Sequence, residues 1–487
     1  MNDSEKLLDL IEKLDNSSVL CVGDVMLDKF VYGAVSRISP EAPVPICRVA
    51  SETEMLGGAG NVARNLAEIG VAVKFISVVG DDEAATKIRC LVNEVDKIAP
   101  EIIEELGRQT TIKERFFAGS QQLLRLDRED YKDVGKDVSK QIFTCVKEAL
   151  KSVGALLLSD YGKGVLSPDN IQKLIKLAKA SNCPVVVDPK GSDYRCYSGA
   201  TVITPNRREL SEASRCEIDD DDGVTTAAKL ISNEYGIENV LVTRSAEGMT
   251  LVSGNSVDHL PAEALEVFDV SGAGDTVAAT LAAGLAAGGD LLVSSQIANI
   301  AAGIVVGKTG TAVATANEIV ETLQRQDLIY LTECKIVSLE AAEAQVEKWR
   351  NGGDKIGFTN GCFDLIHPGH LSILAKSRGA CDRLVVGLNS DVSIRQLKGK
   401  SRPIQTEDSR ASIMASLASV DLVVLFSEET PIKLIETFKP DVLAKGADYA
   451  FNDVVGADFV QAYGGKVLLI DLEEGHSTTK TIERLVR

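Results

Sequence analysis

The chain has 487 residues, enough at roughly 150 per domain for about three domains or two larger ones, and its 45% apolar and 25% charged content excludes a disordered, collagen-like or disulfide-stapled polymer. Its 52 basic against 71 acidic residues leave a net charge of −19, which speaks against nucleic acid as a partner, because affinity for a phosphate backbone comes from the phosphates that Lys and Arg neutralise. No run of uncharged apolar residues is long enough for a membrane span, and the start, MNDSEKLLDLIEKLD, has Leu at helical spacing and no apolar middle of a signal peptide; a cytoplasmic protein is expected.

In chain order, short Val/Ile/Leu runs at 19–25, 74–79, 155–159, 185–188, 202–204 and 240–243 read as strands, with helical spacing between them. Continuous apolar strands alternating with amphipathic helices specify parallel sheets covered on both faces, so the fold class is α/β. The acidic run at 219–222 reads as a solvated helix start. The strand series breaks between about 315 and 354, where two charged helical patterns stand at 316–326 and 339–350. Ser338 is placed to cap the second, and Asn351-Gly352-Gly353 ends it. Strands resume at 356–359, 384–388, 422–426, 442–444 and 467–471. The expected division is a domain over 1–330, a helical linker over 331–354 and a smaller domain over 355–487. The ten cysteines are scattered without a Cys-x-x-Cys pair and read as reduced, mostly buried thiols.

The sharpest motif before the break is Asp269-Val270-Ser271-Gly272-Ala273-Gly274-Asp275-Thr276, ahead of an Ala-rich stretch. Small residues let backbone N–H groups converge, and a following helix adds the positive end of its dipole, which suits a phosphoryl group in transit. Asp275 is placed to accept the proton of an attacking hydroxyl. A Gly-Ala-Gly segment alone is equally a tight turn, so three further segments carry weight. Gly57-Gly58-Ala59-Gly60-Asn61 opens another helix, with exposed backbone and an amide in reach of hydroxyls. Gly23-Asp24 ends the first strand, where a carboxylate can hold sugar hydroxyls at the carboxyl edge of a sheet. Pro205-Asn206-Arg207-Arg208-Glu209-Leu210 offers an amide and a carboxylate one helical turn apart for hydrated Mg²⁺ and phosphate. There is no Gly-x-x-x-x-Gly-Lys-Ser/Thr, so this is not a P-loop.

These segments, in this order over roughly 15–325, resemble the ribokinase family of sugar kinases. The resemblance implies a ribokinase-like domain that uses ATP and Mg²⁺, with Asp275 as catalytic base and Gly272, Ala273 and Gly274 as the anion hole. It implies Asn206, Arg207, Arg208 and Glu209 at the metal and phosphates, with the metal near Asn206 and Glu209. It also implies Asn299 at the adenine, and Asp24, Gly57, Gly58 and Asn61 at the sugar. A monovalent cation near the Asp269 loop and a homodimer follow from the same resemblance.

Of the four histidines, His367, His370 and His476 fall in the smaller domain. The first two sit in Thr359-Asn360-Gly361-Cys362-Phe363-Asp364-Leu365-Ile366-His367-Pro368-Gly369-His370, where one helical turn puts both imidazoles on the same side. Half of a zinc site is one reading, although no third Cys or His follows at the usual spacing; a pair of phosphate donors is the other. Over nearly all of 355–487 the chain resembles the small cytidylyltransferase-like nucleotidyltransferases with their His-x-Gly-His motif. That resemblance implies a Rossmann-like domain without a covalent nucleophile, in which an acceptor phosphate attacks the nucleotide's α-phosphorus directly. His367 and His370 would be the catalytic donors. Phe358, Gly361, Lys398, Lys400, Arg410, Ser477, Thr478 and Thr479 would bind the nucleotide, and the role of His476 stays open.

The combination resembles the bifunctional heptose kinase/adenylyltransferase family of Gram-negative bacteria. The segments Ser159-Asp160-Tyr161-Gly162-Lys163-Gly164, Asp188-Pro189-Lys190-Gly191 and Lys445-Gly446-Ala447-Asp448-Tyr449 agree, with Gly expected where Ala447 stands. The implied activities are phosphorylation of D-glycero-β-D-manno-heptose 7-phosphate at O1, and transfer of AMP from ATP to the heptose 1-phosphate, giving ADP-heptose for lipopolysaccharide core synthesis. Two alternatives stand beside this: a fusion acting on another sugar or polyol phosphate, with CTP in place of ATP, and a sugar-phosphate sensor without turnover. The intact Asp275, His367 and His370 argue against the sensor.

Overall fold

In strand β1 (Ser18–Gly23), Val19 and Cys21 pack into one apolar cluster and Leu20 and Val22 into another, since successive side chains leave a strand on opposite faces. A strand apolar on both faces must be covered on both, and that requirement sets the architecture. A computed structural model describes residues 3–119, 121–263, 267–308, 310–447 and 453–471. The chain divides into two units, Met1–Leu323 and Gln324–Arg487.

The further strands of the first unit are β2 (Val25–Ile38), β3 (Pro45–Gly58), β4 (Ala72–Val79), β5 (Ile98–Glu104), β6 (Ile112–Ala118), β7 (Gln121–Arg128), β8 (Ala155–Ser159), β9 (Val185–Asp188), β10 (Val202–Ile203), β11 (Asn239–Thr243), β12 (Met249–Ser253) and β13 (Ser256–Leu260). Among the described residues they form a nine-stranded sheet, β13-β12-β11-β10-β9-β8-β1-β4-β5, and a four-stranded one, β3-β2-β6-β7. The large sheet is parallel from β5 to β11 and antiparallel at β11-β12-β13. Connections leave β1 toward β4 on one side and β8 on the other, so a cleft opens at its carboxyl end, where Asp24 stands. The expected strand 19–25 is two elements, because the chain turns at Asp24 and Val25 begins β2. The Ala-rich stretch forms the helix Ala273–Ala286, buried from Thr276 to Gly284. Its neighbour, the helix Leu291–Val306, comes so near that a Cβ on Gly284 would lie 2.5 Å from the Ser294 hydroxyl oxygen.

The second unit holds β14 (Ile356–Gly361), β15 (Arg383–Asn389), β16 (Leu422–Phe426), β17 (Val442–Gly446) and β18 (Lys466–Ile470) in the parallel order β16-β15-β14-β17-β18. Strand order reverses at β14, again opening a site at its carboxyl end. The stretch expected as a linker is helical at Leu339–Asn351, with Ser338 accepting a capping hydrogen bond from the Ala341 N–H. Ala342 and Val346 of this helix lie in one cluster with Phe358 and Phe438, so it belongs to the second core and is not a free connection. The preceding helix, Ala316–Glu333, spans the division between the units. Among the described residues, no helix is long and apolar enough to cross a membrane.

Candidate active sites

Asp275 lies in the first turn of the helix Ala273–Ala286, behind Gly272, whose φ of 82° is a left-handed conformation that glycine adopts without strain. One carboxylate oxygen accepts a hydrogen bond from Asn61 Nδ2 at 2.6 Å, and the other accepts from the Tyr161 hydroxyl. The next residue, Thr276, donates to Asn65 Oδ1 at 2.8 Å, and Asn65 Nδ2 donates to the Asn61 carbonyl at 2.9 Å. These bonds tie the helix Ala59–Glu68 to the base of the Asp275 helix. Burial pushes the Asp275 pKa above the usual carboxylate range; the Asn61 and Tyr161 hydrogen bonds oppose this, and the nearby Asp28 carboxylate adds to it. A carboxylate raised in this way is a stronger proton acceptor.

Beside this network is a cavity of about 860 Å³, bordered by Tyr161, Asp188, Asn206, Glu209, Gly274 and Asn299, a size suited to a nucleotide. A Cβ on Gly274 would meet nothing within 4 Å, so the backbone there is open. Asn206 and Glu209 form a reciprocal cap at the start of the helix Arg207–Ser214. Asn206 Oδ1 accepts from the Glu209 N–H at 2.9 Å, and Glu209 Oε2 accepts from the Asn206 N–H at 3.1 Å. The other Glu209 oxygen is 3.4 Å from Lys190 Nζ. Arg207 and Arg208 border the same cavity, paired with Glu247 and Glu212. Asn299 donates to the Pro261 carbonyl at 2.7 Å.

Among the residues expected at the sugar, Asn61 donates to the Asp275 carboxylate, and Gly57 leaves room for Asp28, since a Cβ there would lie 2.4 Å from Asp28 Oδ2. Gly58, at φ 57°, caps the Ala59–Glu68 helix. Asp24, expected to hold sugar hydroxyls, instead accepts from the backbone N–H groups of Tyr161, Lys163 and Val165 at 3.0–3.1 Å and is 2% exposed. It anchors the loop that carries Tyr161. Tyr161 and Asp188 also border the cavity, and their signal in the sequence is position: each lies at or just past the carboxyl end of a parallel strand, β8 and β9. Burial, then the charges of Asp275 and Glu209, raise the Asp188 pKa well above its ordinary value.

In the second unit, the helix Pro368–Gly379 begins behind His367, with Pro368 at its first position. The His367 and His370 rings stack, their centroids 3.8 Å apart. Phe363, held at φ 43°, meets the His370 ring edge-on at 5.2 Å, and a Cβ on Gly361 would press on the Phe363 ring at 3.1 Å. Burial lowers the His370 pKa to about 4, with His367 and Lys398 adding to the effect; the ring is neutral at pH 7. Asp364, almost wholly buried, accepts from the Ile404 N–H at 2.7 Å, the Gln405 N–H at 3.1 Å and the Arg402 guanidinium. Lys398 and Lys400 are exposed at the end of the helix Asp391–Lys398.

Two residues expected at the nucleotide have buried side chains. That of Phe358 packs in the core against Phe438, with ring centroids 6.1 Å apart. Arg410 is also fully buried: its guanidinium donates to the carbonyls of Cys362 and Asn389 at 2.8 and 2.7 Å, to Gln405 at 3.2 Å and to Asp391 at 2.7 Å. It braces the loop after β14. Ser477, Thr478, Thr479, His476, Asp448 and Tyr449 lie outside the described residues. Among the described residues, no group of three or more His, Cys, Asp or Glu is gathered to hold a metal ion.

Residues 16–318 match the pfkB family of carbohydrate kinases, and residues 358–484 match the cytidylyltransferase-like family. Over its whole length the chain is similar to proteins named Bifunctional protein HldE. That of Paramagnetospirillum magneticum is 57% identical over 486 residues, covering 100% of this chain and 99% of the other. That of Rhodospirillum rubrum is 53% identical, covering 100% and 98%. Among solved structures, Escherichia coli phosphofructokinase-2 in complex with potassium covers 64% of this chain and 99% of its own at 18% identity, with a TM-score of 0.54. Arabidopsis thaliana ribokinase complexed with ribose and ATP covers 63% and 98% at 18% identity, with a TM-score of 0.52; these two show the fold. With these matches over its whole length, the chain belongs to the HldE family of bifunctional enzymes, a pfkB carbohydrate kinase followed by a cytidylyltransferase-like nucleotidyltransferase.

Proposed function

We propose that the first unit phosphorylates D-glycero-β-D-manno-heptose 7-phosphate at O1, giving the 1,7-bisphosphate, and that the second, acting on D-glycero-β-D-manno-heptose 1-phosphate, joins it to AMP from ATP, supplying ADP-heptose for the lipopolysaccharide core. The observation that carries the kinase reading is Asp275, held by Asn61 and Tyr161 behind the Gly272 cap and beside the cavity. Asp275 takes the proton of the O1 hydroxyl as oxygen attacks the γ-phosphorus of ATP, and ADP leaves. The N–H groups of Gly272, Ala273 and Gly274 face the charge that builds on the transferred group. Glu209 and Asn206, with Asp188 across the cavity, suit a hydrated Mg²⁺ carried by the nucleotide, an ion that usually keeps several waters and takes one or two carboxylates. Such an ion neutralises phosphate charge. A monovalent cation fits beside the Asp269 loop, whose carboxylate accepts from the N–H groups of Ser271 and Gly310.

In the second unit, an oxygen of the 1-phosphate attacks the α-phosphorus of ATP and pyrophosphate leaves. His367 and His370 donate hydrogen bonds to the reacting phosphate, with Lys398 at the end of the helix Asp391–Lys398 and Lys400 just past it. The enzyme works in the cytoplasm as a homodimer. The apolar residues exposed on β2 and β3, among them Tyr32, Ile38 and Val49, favour self-association through that sheet. Mass spectrometry of products from ATP and a panel of sugar 7-phosphates tests the substrate. Asp275→Asn should lower O1 phosphorylation by about 10²–10⁴-fold while adenylyl transfer to supplied heptose 1-phosphate persists. Near-normal kinase turnover in that variant would require another base.

A further inference from the structure

Strand β17 runs between β14 and β18 in the parallel sheet of the second unit, where a strand covered on both faces is expected to be apolar throughout. Val442, Leu443 and Ala444 are buried and fit that rule; Lys445 breaks it. Its side chain is half-buried, and its ammonium donates to the Asn360 carbonyl of β14 at 3.2 Å. Lysine is seldom drawn into a sheet for packing alone, and a carbonyl takes one of the three donors that an ammonium carries. Asn360 adds a second observation: among the described residues its side-chain amide oxygen is buried and has no donor. A buried acceptor in that state is costly until a ligand supplies the missing hydrogen bond.

The register places the two residues together. Phe358 pairs with Leu443, and both belong to one apolar cluster. Two residues further along each strand, on that same face, stand Asn360 and Lys445. They are therefore neighbours at the carboxyl ends of β14 and β17, beside the point where strand order reverses and a ligand crevice opens. Lys398, whose charge acts on His370, ends the helix that follows β15, on the other side of β14. Cations thus flank the carboxyl end of β14 from both sides. Adenylyl transfer needs such an arrangement, because it brings two negatively charged phosphates, one from the nucleotide and one from the acceptor, into contact.

We propose that Lys445 binds the phosphate of the acceptor sugar 1-phosphate and that the Asn360 amide oxygen accepts from a hydroxyl of the same sugar, so that the acceptor sits toward β17 and the nucleotide toward Lys398. This rests on the adenylyl-transfer reading of the second unit and assigns the acceptor side of it. In the step served, an oxygen of the acceptor phosphate bonds to the α-phosphorus, the bond from that phosphorus to the bridging oxygen breaks, and pyrophosphate leaves with the electron pair. Lys445 holds the attacking phosphate against the charge of the nucleotide. In the full chain, Lys445→Met should raise KM for heptose 1-phosphate about 10–100-fold, the range for a lost hydrogen bond to a charged group, with KM for ATP unchanged. Lys445→Arg should recover part of the loss, and Asn360→Ala should raise the same KM by less. Lys445→Gln, which keeps a polar tip on β17, guards against a folding defect in the Met variant. A Met or Gln variant that folds, as shown by an unchanged KM for ATP, and keeps the wild-type KM for heptose 1-phosphate overturns the subsite. A raised KM for ATP beside an unchanged acceptor KM also overturns it, since Lys445 would then hold the nucleotide. Failure of wild type to adenylylate heptose 1-phosphate would instead overturn the substrate reading beneath it.

Discussion

The Asp275 carboxylate is pulled in two directions: burial and Asp28 raise its pKa, while hydrogen bonds from Asn61 and Tyr161 lower it. Tyr161→Phe removes one lowering contact without touching the base. The Asp275 pKa should rise, and since the base works deprotonated, the acid limb of kinase kcat/KM should move to higher pH. Full pH profiles of the two enzymes check this; a lowered rate with an unmoved limb would make Tyr161 a packing residue only. His370 offers the opposite case, a ring whose folded-state pKa of about 4 lies below its ordinary 6.5. The fold favours the neutral ring, so this contribution to stability is present above about pH 6.5 and is lost as pH falls from there through about 4. Histidine ring resonances should include one with a midpoint near 4 that disappears in His370→Gln. A midpoint near 6.5 for that ring would mean that the imidazole is not desolvated.

At the scale of elements, what the sequence disclosed follows from burial. The runs at 155–159, 185–188 and 422–426 are strands over those same residues, because a strand buried on both faces is continuously apolar. The four-stranded sheet was not legible. VMLDKFVYGAVSRI of β2 mixes charge and apolar side chains, runs from a buried start to an exposed end, and shifts register with β3 at Tyr32/Gly33. The Gly272–Asp275 and His367–His370 motifs are legible because each stands at the start of a helix in a set of segments that agree, but side chains that hold a loop resemble side chains that hold a ligand. Asp24 and Arg410 resemble ligand contacts for that reason, but Asp24 is held by the backbone N–H groups of Tyr161, Lys163 and Val165, and Arg410 by three carbonyls and the Asp391 carboxylate. Arg410→Met should therefore destabilise the second unit by about 3–5 kcal/mol, the usual loss when one member of a buried charged network is removed, with kinase turnover unaffected. Chemical denaturation of the full chain, followed through the second unit's transition, measures it. Unchanged stability with weakened nucleotide binding would restore Arg410 to the nucleotide.

For the whole molecule, the question is where one enzyme ends and the other begins. The buried clusters of the first unit run from Leu7 to Leu323, and those of the second from Ala342 to Val460. Ile319 and Leu323 anchor the helix Ala316–Glu333 in the first core, so a cut before its end would fray it. On the other side, the Val423 N–H donates to the Lys335 carbonyl at 2.8 Å and the Val337 N–H donates to the Val423 carbonyl at 3.1 Å, so the second unit needs its chain from about residue 334. Fragments 1–333 and 334–487 should each be soluble, the first carrying only kinase activity and the second only adenylyl transfer, since a unit with its own core can fold alone. A fragment beginning at 355 is the discriminating companion. It lacks the helix Leu339–Asn351 and so strips Ala342 and Val346 from Phe358 and Phe438. Leaving that apolar surface uncovered should make it markedly less stable than 334–487, or insoluble. Equal stability of the two C-terminal fragments, compared by thermal melting and by adenylyl transfer, would return residues 331–354 to the status of a linker. An inactive 334–487 beside an active full chain would show that the second enzyme depends on the first.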